Sequence, residues 1–226
     1  MGPAGSRHEK IVMIGFERLR FVLEWTCATA VGLVIAEVVI EILWSSVLGY
    51  TMLFLAPLAG GLLWGVPVAV GQWLVLRRHV PDGRRWMEVS ILGFIVAWIA
   101  AMTVGAALSM LPSSNTVSLF AMFALSSPIA GLFQSVGLRR WNMRTQPWLV
   151  ASSLGWTGFV GVVIFLPRSF SPISRAAARL IGRLASVEVS SDVGSVLLGA
   201  IVAGAITGIV MARLVFDAMG VESVRS

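Results

Sequence analysis

Long apolar runs fill the chain from Phe21 to Val215, and several exceed the roughly 20 residues that an α-helix needs to cross the hydrocarbon core of a bilayer. Charged residues make up only 12% of the 226 residues and hydrophobic ones 57%. Soluble domains carry about 25% charge, so the chain reads as an all-α, polytopic membrane bundle of six transmembrane helices. Nearly all of it is used by those helices. We therefore read segment 1–19 as a cytoplasmic N-terminal segment, 20–216 as one membrane domain and 217–226 as a cytoplasmic tail.

The spacing of a few residues divides the bundle further. Gln72, Arg77, Arg78, Trp86, Ser90 and Gly93 recur at one constant offset as Gln134, Arg139, Arg140, Trp148, Ser152 and Gly155. A half copy lies upstream at nearly the same offset, where Trp25, Thr29 and Gly32 repeat the spacing of Trp86, Ser90 and Gly93. This pattern predicts repeated helical hairpins about a pseudo-threefold axis, the third hairpin being split between the last helix and the first.

Taken in order, the spans are expected at 20–44, 51–76, 86–111, 117–138, 148–166 and 193–215. Pro57 and Pro67 predict a bent second helix, since proline frees a carbonyl one turn back. Between the fifth and sixth spans, Arg175, Arg179 and Arg183 share one helical face while Ile173, Leu180, Ile181 and Leu184 gather largely on the other. Segment 167–192 is therefore expected to be a short amphipathic helix at the outer membrane surface.

The formal charge of +6 could suggest nucleic acid, but the basic residues sit at the ends of the apolar runs and in the short loops. That is the positive-inside pattern. Thirteen of the 17 Lys and Arg residues fall on one alternating side, which predicts that both termini are cytoplasmic and excludes a basic nucleic-acid face. Segment 1–20 lacks the apolar core and cleavage site of a secretory signal, so the first span is expected to serve as the anchor. Cys27 is the single cysteine, which rules out an internal disulfide or a cysteine metal cluster.

The repeated polar residues are the first candidate positions. In an antiparallel hairpin Gln72 and Ser90 reach similar depth, as do Gln134 and Ser152, and Thr29 is placed to meet Thr207 across the split hairpin. Such pairs are expected to hydrogen-bond between helices as structural ties, with a solute site in the cytoplasmic third of the bundle as the functional alternative. Trp25, Trp73, Trp86, Trp141 and Trp148 are expected to form an aromatic belt at the cytoplasmic interface. Gly61 with Gly65, and Gly204 with Gly208, are small-residue pairs expected to serve internal packing. Arg77, Arg78, Arg139 and Arg140 are candidates for anionic lipid headgroups, with topology as their plainer role.

Glu37 and Glu41 stand apart. They lie one turn apart in the first span, Glu37 about 18 Å beyond Trp25, and an ionisable group at that depth is a candidate for a proton, cation or cationic solute. The structural alternatives are that Glu37 is protonated, or that Glu37 and Glu41 face the outer surface and pair with Arg168, Arg175 or Arg179. Enzyme chemistry finds no support: His8 and His79 are isolated, Ser90 and Ser152 have no base in sight, and no phosphate-cradling loop is present, so no catalytic residue, metal or cofactor is expected.

The run Gln72-Trp-Leu-Val-Leu-Arg-Arg78, with Trp148-Leu-Val-Ala-Ser-Ser-Leu-Gly-Trp156 and Gly204-Ala-Ile-Thr-Gly208, resembles a group of bacterial multi-pass membrane proteins built on such repeats. The resemblance covers about residues 25–214. The second copy departs from the pattern, with Ser135 in the place of Trp73 and Gly137 in that of Val75. What it implies is a bacterial inner-membrane location, and it carries no activity. The expected role is a non-enzymatic interaction or accessory subunit with a membrane-protein partner. The alternative is a small-solute transport or substrate-binding subunit, because six spans with both ends inside also outline the substrate-binding subunits of energy-coupling-factor transporters.

Overall fold

The computed structural model describes residues 5–45, 49–110, 115–165 and 193–219. They form six helices: α1 (Gly5–Ser45), α2 (Gly49–Leu76), α3 (Arg84–Leu108), α4 (Asn115–Arg140), α5 (Thr145–Phe165) and α6 (Val193–Ala218). All six are long and apolar enough to cross a membrane. The expected amphipathic segment 167–192 lies outside the described residues.

Each helix packs against its neighbours in sequence, and α6 returns to pack against α1, so the six close into a ring. Leu23, Ile35, Leu62, Leu92, Leu132, Val150 and Ile209 point outward and exposed, whereas Thr29, Gln72, Ser90, Gln134, Ser152 and Thr207 are buried. This arrangement is apolar outside and polar inside, which suits a solvent of lipid tails. The protein is a multi-pass helical membrane protein.

The largest departure from the sequence reading is α1. It begins at Gly5 instead of Arg20, and its 41 residues span about 60 Å, twice the hydrocarbon thickness. Hydropathy ends at the first basic flank, but Glu, Lys and Arg are good helix formers, so the helix runs on through them. On this extension Met13, Phe16 and Leu19 are all more than half exposed.

Two tight loops join the helices at the basic end. Asp82 (φ 56°) and Asn142 (φ 55°) occupy left-handed backbone that Asp and Asn tolerate better than most residues. The loops also hold each other: Trp141 Nε1 donates to Pro81 O at 3.1 Å, and Arg140 lies 3.7 Å from Asp82. Arg78 meets Glu24 at 3.2 Å and Arg18 meets Asp217 at 3.4 Å, tying α1 to the α2 end and to α6.

Glycine sets how closely the helices approach. A Cβ at Gly32 would lie 2.8 Å from the Val68 Cα on α2, and one at Gly204 would lie 2.9 Å from the Thr26 Cα on α1. Backbone cannot yield as a flexible side chain does. The Gly204 contact shows its glycine pair serving internal packing. We expect Gly32→Ala and Gly204→Ala each to destabilise the bundle by about 1–3 kcal/mol through overpacking. Reversible unfolding in detergent or bicelles would measure this, and wild-type stability in both variants would contradict the close approach.

Candidate functional site

From the basic end inward, the ring is filled layer by layer. Trp25, Trp86 and Trp148, one each from α1, α3 and α5, are at most 1% exposed and meet on the axis. Their ring centroids are 5.9 Å (Trp25 to Trp86), 6.1 Å (Trp25 to Trp148) and 5.1 Å (Trp86 to Trp148) apart, all edge to face. This overturns the belt assignment for these three. They point inward because an odd-numbered helix on each side of the axis presents its indole to the centre, where three rings fill a space no aliphatic trio would. Fully buried Leu76, Leu138 and Met211 from α2, α4 and α6 complete the plug. Trp73 and Trp141 stay partly exposed, Trp73 beneath the Arg77 guanidinium at 5.4 Å and Trp141 stacked on Trp86.

One turn deeper lies the polar layer, and its pairing differs from the expectation. Gln72 Nε2 donates to Thr29 Oγ1 on the preceding helix at 3.2 Å, and its Oε1 accepts from Trp86 Nε1 at 3.3 Å. It does not tie to Ser90. Gln134 Nε2 donates to Ser90 Oγ at 3.2 Å instead, while Ser152 Oγ reaches Gln134 Oε1 only at 3.5 Å. Thr207 donates to Ala203 O at 2.7 Å and accepts from Trp25 Nε1 at 3.1 Å, so Trp25 takes the place expected for Thr29. The physical reason is that each glutamine points into the ring between two odd-numbered helices and has amide groups for both. Trp148 Nε1 is buried and has no acceptor among the described residues.

This layer is closed chemistry. Thr29, Gln72, Ser90, Gln134, Ser152 and Thr207 are each at most 4% exposed and bonded to one another, to an indole or to backbone, so their polar groups are engaged within the layer itself.

The space lies beyond it. A second apolar cluster crosses the ring, with Trp64 on α2 edge to face with Phe159 on α5 at 5.4 Å and Phe94 on α3 edge to face with Trp156 on α5 at 5.0 Å. Next to these rings, in the half away from the basic loops, is a cavity of about 220 Å³. All six helices line it, with Glu37 from α1, Trp64 from α2, Trp98 from α3, Ser126 and Ser127 from α4, Val160 from α5 and Val196 from α6 among its walls. Glu37 is half-buried there, and Glu41, also half-buried, lies one turn on. Arg168, Arg175 and Arg179 lie outside the described residues.

Sequence reasoning places Glu37 deep in a span but misses Ser126, Ser127 and Trp98, and it quotes Trp156 only as the end of the run from Trp148; Ser126 and Trp156 fall at the repeat offset from Trp64 and Phe94, but the residue types differ between the copies, so the match does not stand out. The serines have one available signal, an adjacent pair just before Pro128. Their hydroxyls donate to Phe123 O at 3.0 Å and Ala124 O at 2.9 Å, and Ser127 also meets Thr157 Oγ1 at 3.2 Å.

The fold and site together define a ring of membrane helices with a sealed polar waist and an aromatic-walled cavity on one side of it. No family model, curated protein or solved structure matches the chain.

The two glutamines have unequal roles. Gln72→Leu strands the buried Trp86 N–H and should cost about 1–3 kcal/mol. Gln134→Leu strands two serine hydroxyls, which can turn back to their own helix carbonyls, and should cost nearer to about 0.6 kcal/mol. Unfolding of the two variants side by side tests the order, and a reversed order would refute the pairing.

Proposed function

We propose that this protein is a non-enzymatic bacterial inner-membrane protein that holds a small solute, the substrate-binding member of a transport assembly. The observation that carries the reading is the cavity on the ring axis, lined by all six helices and containing Glu37. Ligand sites in proteins are concave, mostly apolar and supplied with a few polar groups, and between the helices of a bundle is a common place for them. The plug of Trp25, Trp86 and Trp148 closes the other end, so the ring is a container and not an open pore.

On the positive-inside count the plugged end faces the cytoplasm and the cavity the outer side, with both termini inside. A solute would then be captured from outside, and release inward requires the plug to part, a step suited to a partner that supplies energy. The near-constant offset between the copies of the Gln, Trp and Ser/Thr positions supports an internal threefold repeat of hairpins as the origin of the ring. Arg77 and Arg139 at the basic rim are exposed and positioned for anionic headgroups, while Arg78 and Arg140 are already engaged with Glu24 and Asp82.

A second reading, an interaction subunit without a solute, is favoured by one observation. Met13, Phe16 and Leu19 form an exposed apolar stripe on the part of α1 that runs past the bundle.

Two experiments separate the readings. Ala97 lines the cavity, and Ala97→Phe should fill it, so that a solute retained by the wild type in gentle native mass spectrometry is absent from the variant while the melting temperature holds. A solute kept by Ala97→Phe at wild-type occupancy would contradict the cavity reading. Replacing Met13, Phe16 and Leu19 together with serine should release a copurifying protein if the stripe is its contact; unchanged recovery would remove that reading.

A further inference from the structure

The cavity walls leave one kind of polar group unanswered. Of the buried side-chain donors that lack an acceptor among the described residues, the indole N–H groups of Trp64 and Trp98 belong to residues of this wall. The two rings are neighbours across α2 and α3, with centroids 5.8 Å apart. Buried donors are almost always paired, and one left without an acceptor gives up its hydration for nothing in return. The other polar side chains of the wall are already engaged. Ser126 and Ser127 donate to the carbonyls of Phe123 and Ala124, and Glu37 has an interaction of its own with a partner outside the described residues.

Such a wall selects by polarity. Most of the rest of it is ring and hydrocarbon, from residues such as Phe94, Phe123, Trp156 and Phe159. A charged guest would give up its water there with no free counter-charge among the described lining residues, and an unpaired buried charge costs far more than a buried neutral group. A plain hydrocarbon fits but leaves both indole N–H groups as they are. A carbonyl-type oxygen has lone pairs and no proton of its own, so it accepts from the indoles and needs nothing further from the wall. The N–H edges are packed into the wall, that of Trp98 against Gly60, whose missing Cβ makes room for it. Tryptophan turns in a broad χ2 well, so these edges can swing toward a guest while the rings stay in the wall. The volume of about 220 Å³ limits the size: at about 30 Å³ per water it holds roughly seven waters, the bulk of a single ring and not of a nucleotide or a whole lipid.

We infer that the cavity is a binding site for a neutral one-ring compound carrying a carbonyl-type oxygen, which accepts from the indole N–H groups of Trp64 and Trp98. The inference rests on the solute-holding reading given above and narrows it. The aromatic walls take the ring of the guest, and the two indoles set its orientation by fixing where the oxygen lies.

The test uses the full-length protein in detergent and four probes built on one six-membered ring, compared at equal free concentration. They are cyclohexanone, its shape mimic methylenecyclohexane (CH2 in place of the oxygen), cyclohexylamine and cyclohexanecarboxylate. Cyclohexanone should raise the melting temperature saturably and move the indole N–H resonances of Trp64 and Trp98 downfield, leaving those of Trp25 and Trp86 in place. Methylenecyclohexane should bind about 10-fold more weakly, the factor expected when a buried donor loses its acceptor, and the two charged probes more weakly still. In the double variant Trp64→Phe, Trp98→Phe, which keeps rings in the wall and removes both N–H groups, the ketone should lose its advantage over the alkene. A merely structural role of the two indoles would not move that ratio, and the comparison of the four probes on the wild type stands even if the variant does not fold. Equal affinity for ketone and alkene in the wild type, an unchanged ratio in the double variant, or tighter binding of either charged probe overturns the assignment of a neutral acceptor and leaves the cavity reading intact. Failure of all four probes, or ketone binding unaltered in Ala97→Phe, overturns both.

Discussion

Six helices in lipid close into a ring only if something fills the axis. Lipid tails are as apolar as the side chains facing them, so no hydrophobic force drives the helices together, and close packing with matched polar groups must do it. The mutual contact of Trp25, Trp86 and Trp148 answers that requirement. Each edge-to-face pair adds about 0.5–1.5 kcal/mol beyond simple burial, and the three rings fix the diameter of the ring at that level. The close approaches at Gly32 and Gly204 and the registers of the glutamines all presuppose that diameter.

The polar waist then divides the interior. Below it the buried apolar residues form one cluster around the indoles, and above it a second around Phe94, Phe159 and Val196. Because the waist satisfies nearly all of its own donors and acceptors, it acts as a floor. The upper half has no equivalent plug of three large rings on the axis among the described residues, and its aromatic residues cross from one wall to another at Trp64–Phe159 and Phe94–Trp156. The cavity is what remains beside those crossings.

Much of this is legible in the residues. The apolar runs locate six helices because hydropathy over roughly 20 residues is a strong signal. The recurring Trp, Ser/Thr, Gly spacing singles out the three tryptophans that meet. Their direction is not legible: a tryptophan at a helix end reads the same whether it faces headgroups or the axis, and only the rotation of each helix decides. The partners of Gln72 and Gln134 escape sequence reasoning for that reason, since depth alone makes Ser90 and Ser152 equivalent to Thr29 and Trp86. The part of α1 from Gly5 to Leu19 is hidden by its charge, which hydropathy counts against a span but which favours a helix in water. The cavity is illegible beyond Glu37 because its walls come from six helices: pairs such as Phe94 and Trp156 or Trp64 and Ser126 do fall at the repeat offset, but their residue types differ, so the equivalence of the positions does not show in the sequence.

The buried N–H of Trp148 makes the three indoles unequal. Trp25 and Trp86 have each exchanged water for an acceptor, whereas Trp148, alone of these three, has given up its hydration with no acceptor among the described residues, a penalty of about 1–3 kcal/mol. Parting α1 from α6 would break the Trp25 bond to Thr207. Drawing α5 outward breaks no indole bond and rehydrates a deprived group. Three similar wedges are therefore not equivalent at their tips, and the one carried by α5 is the one its indole does not hold.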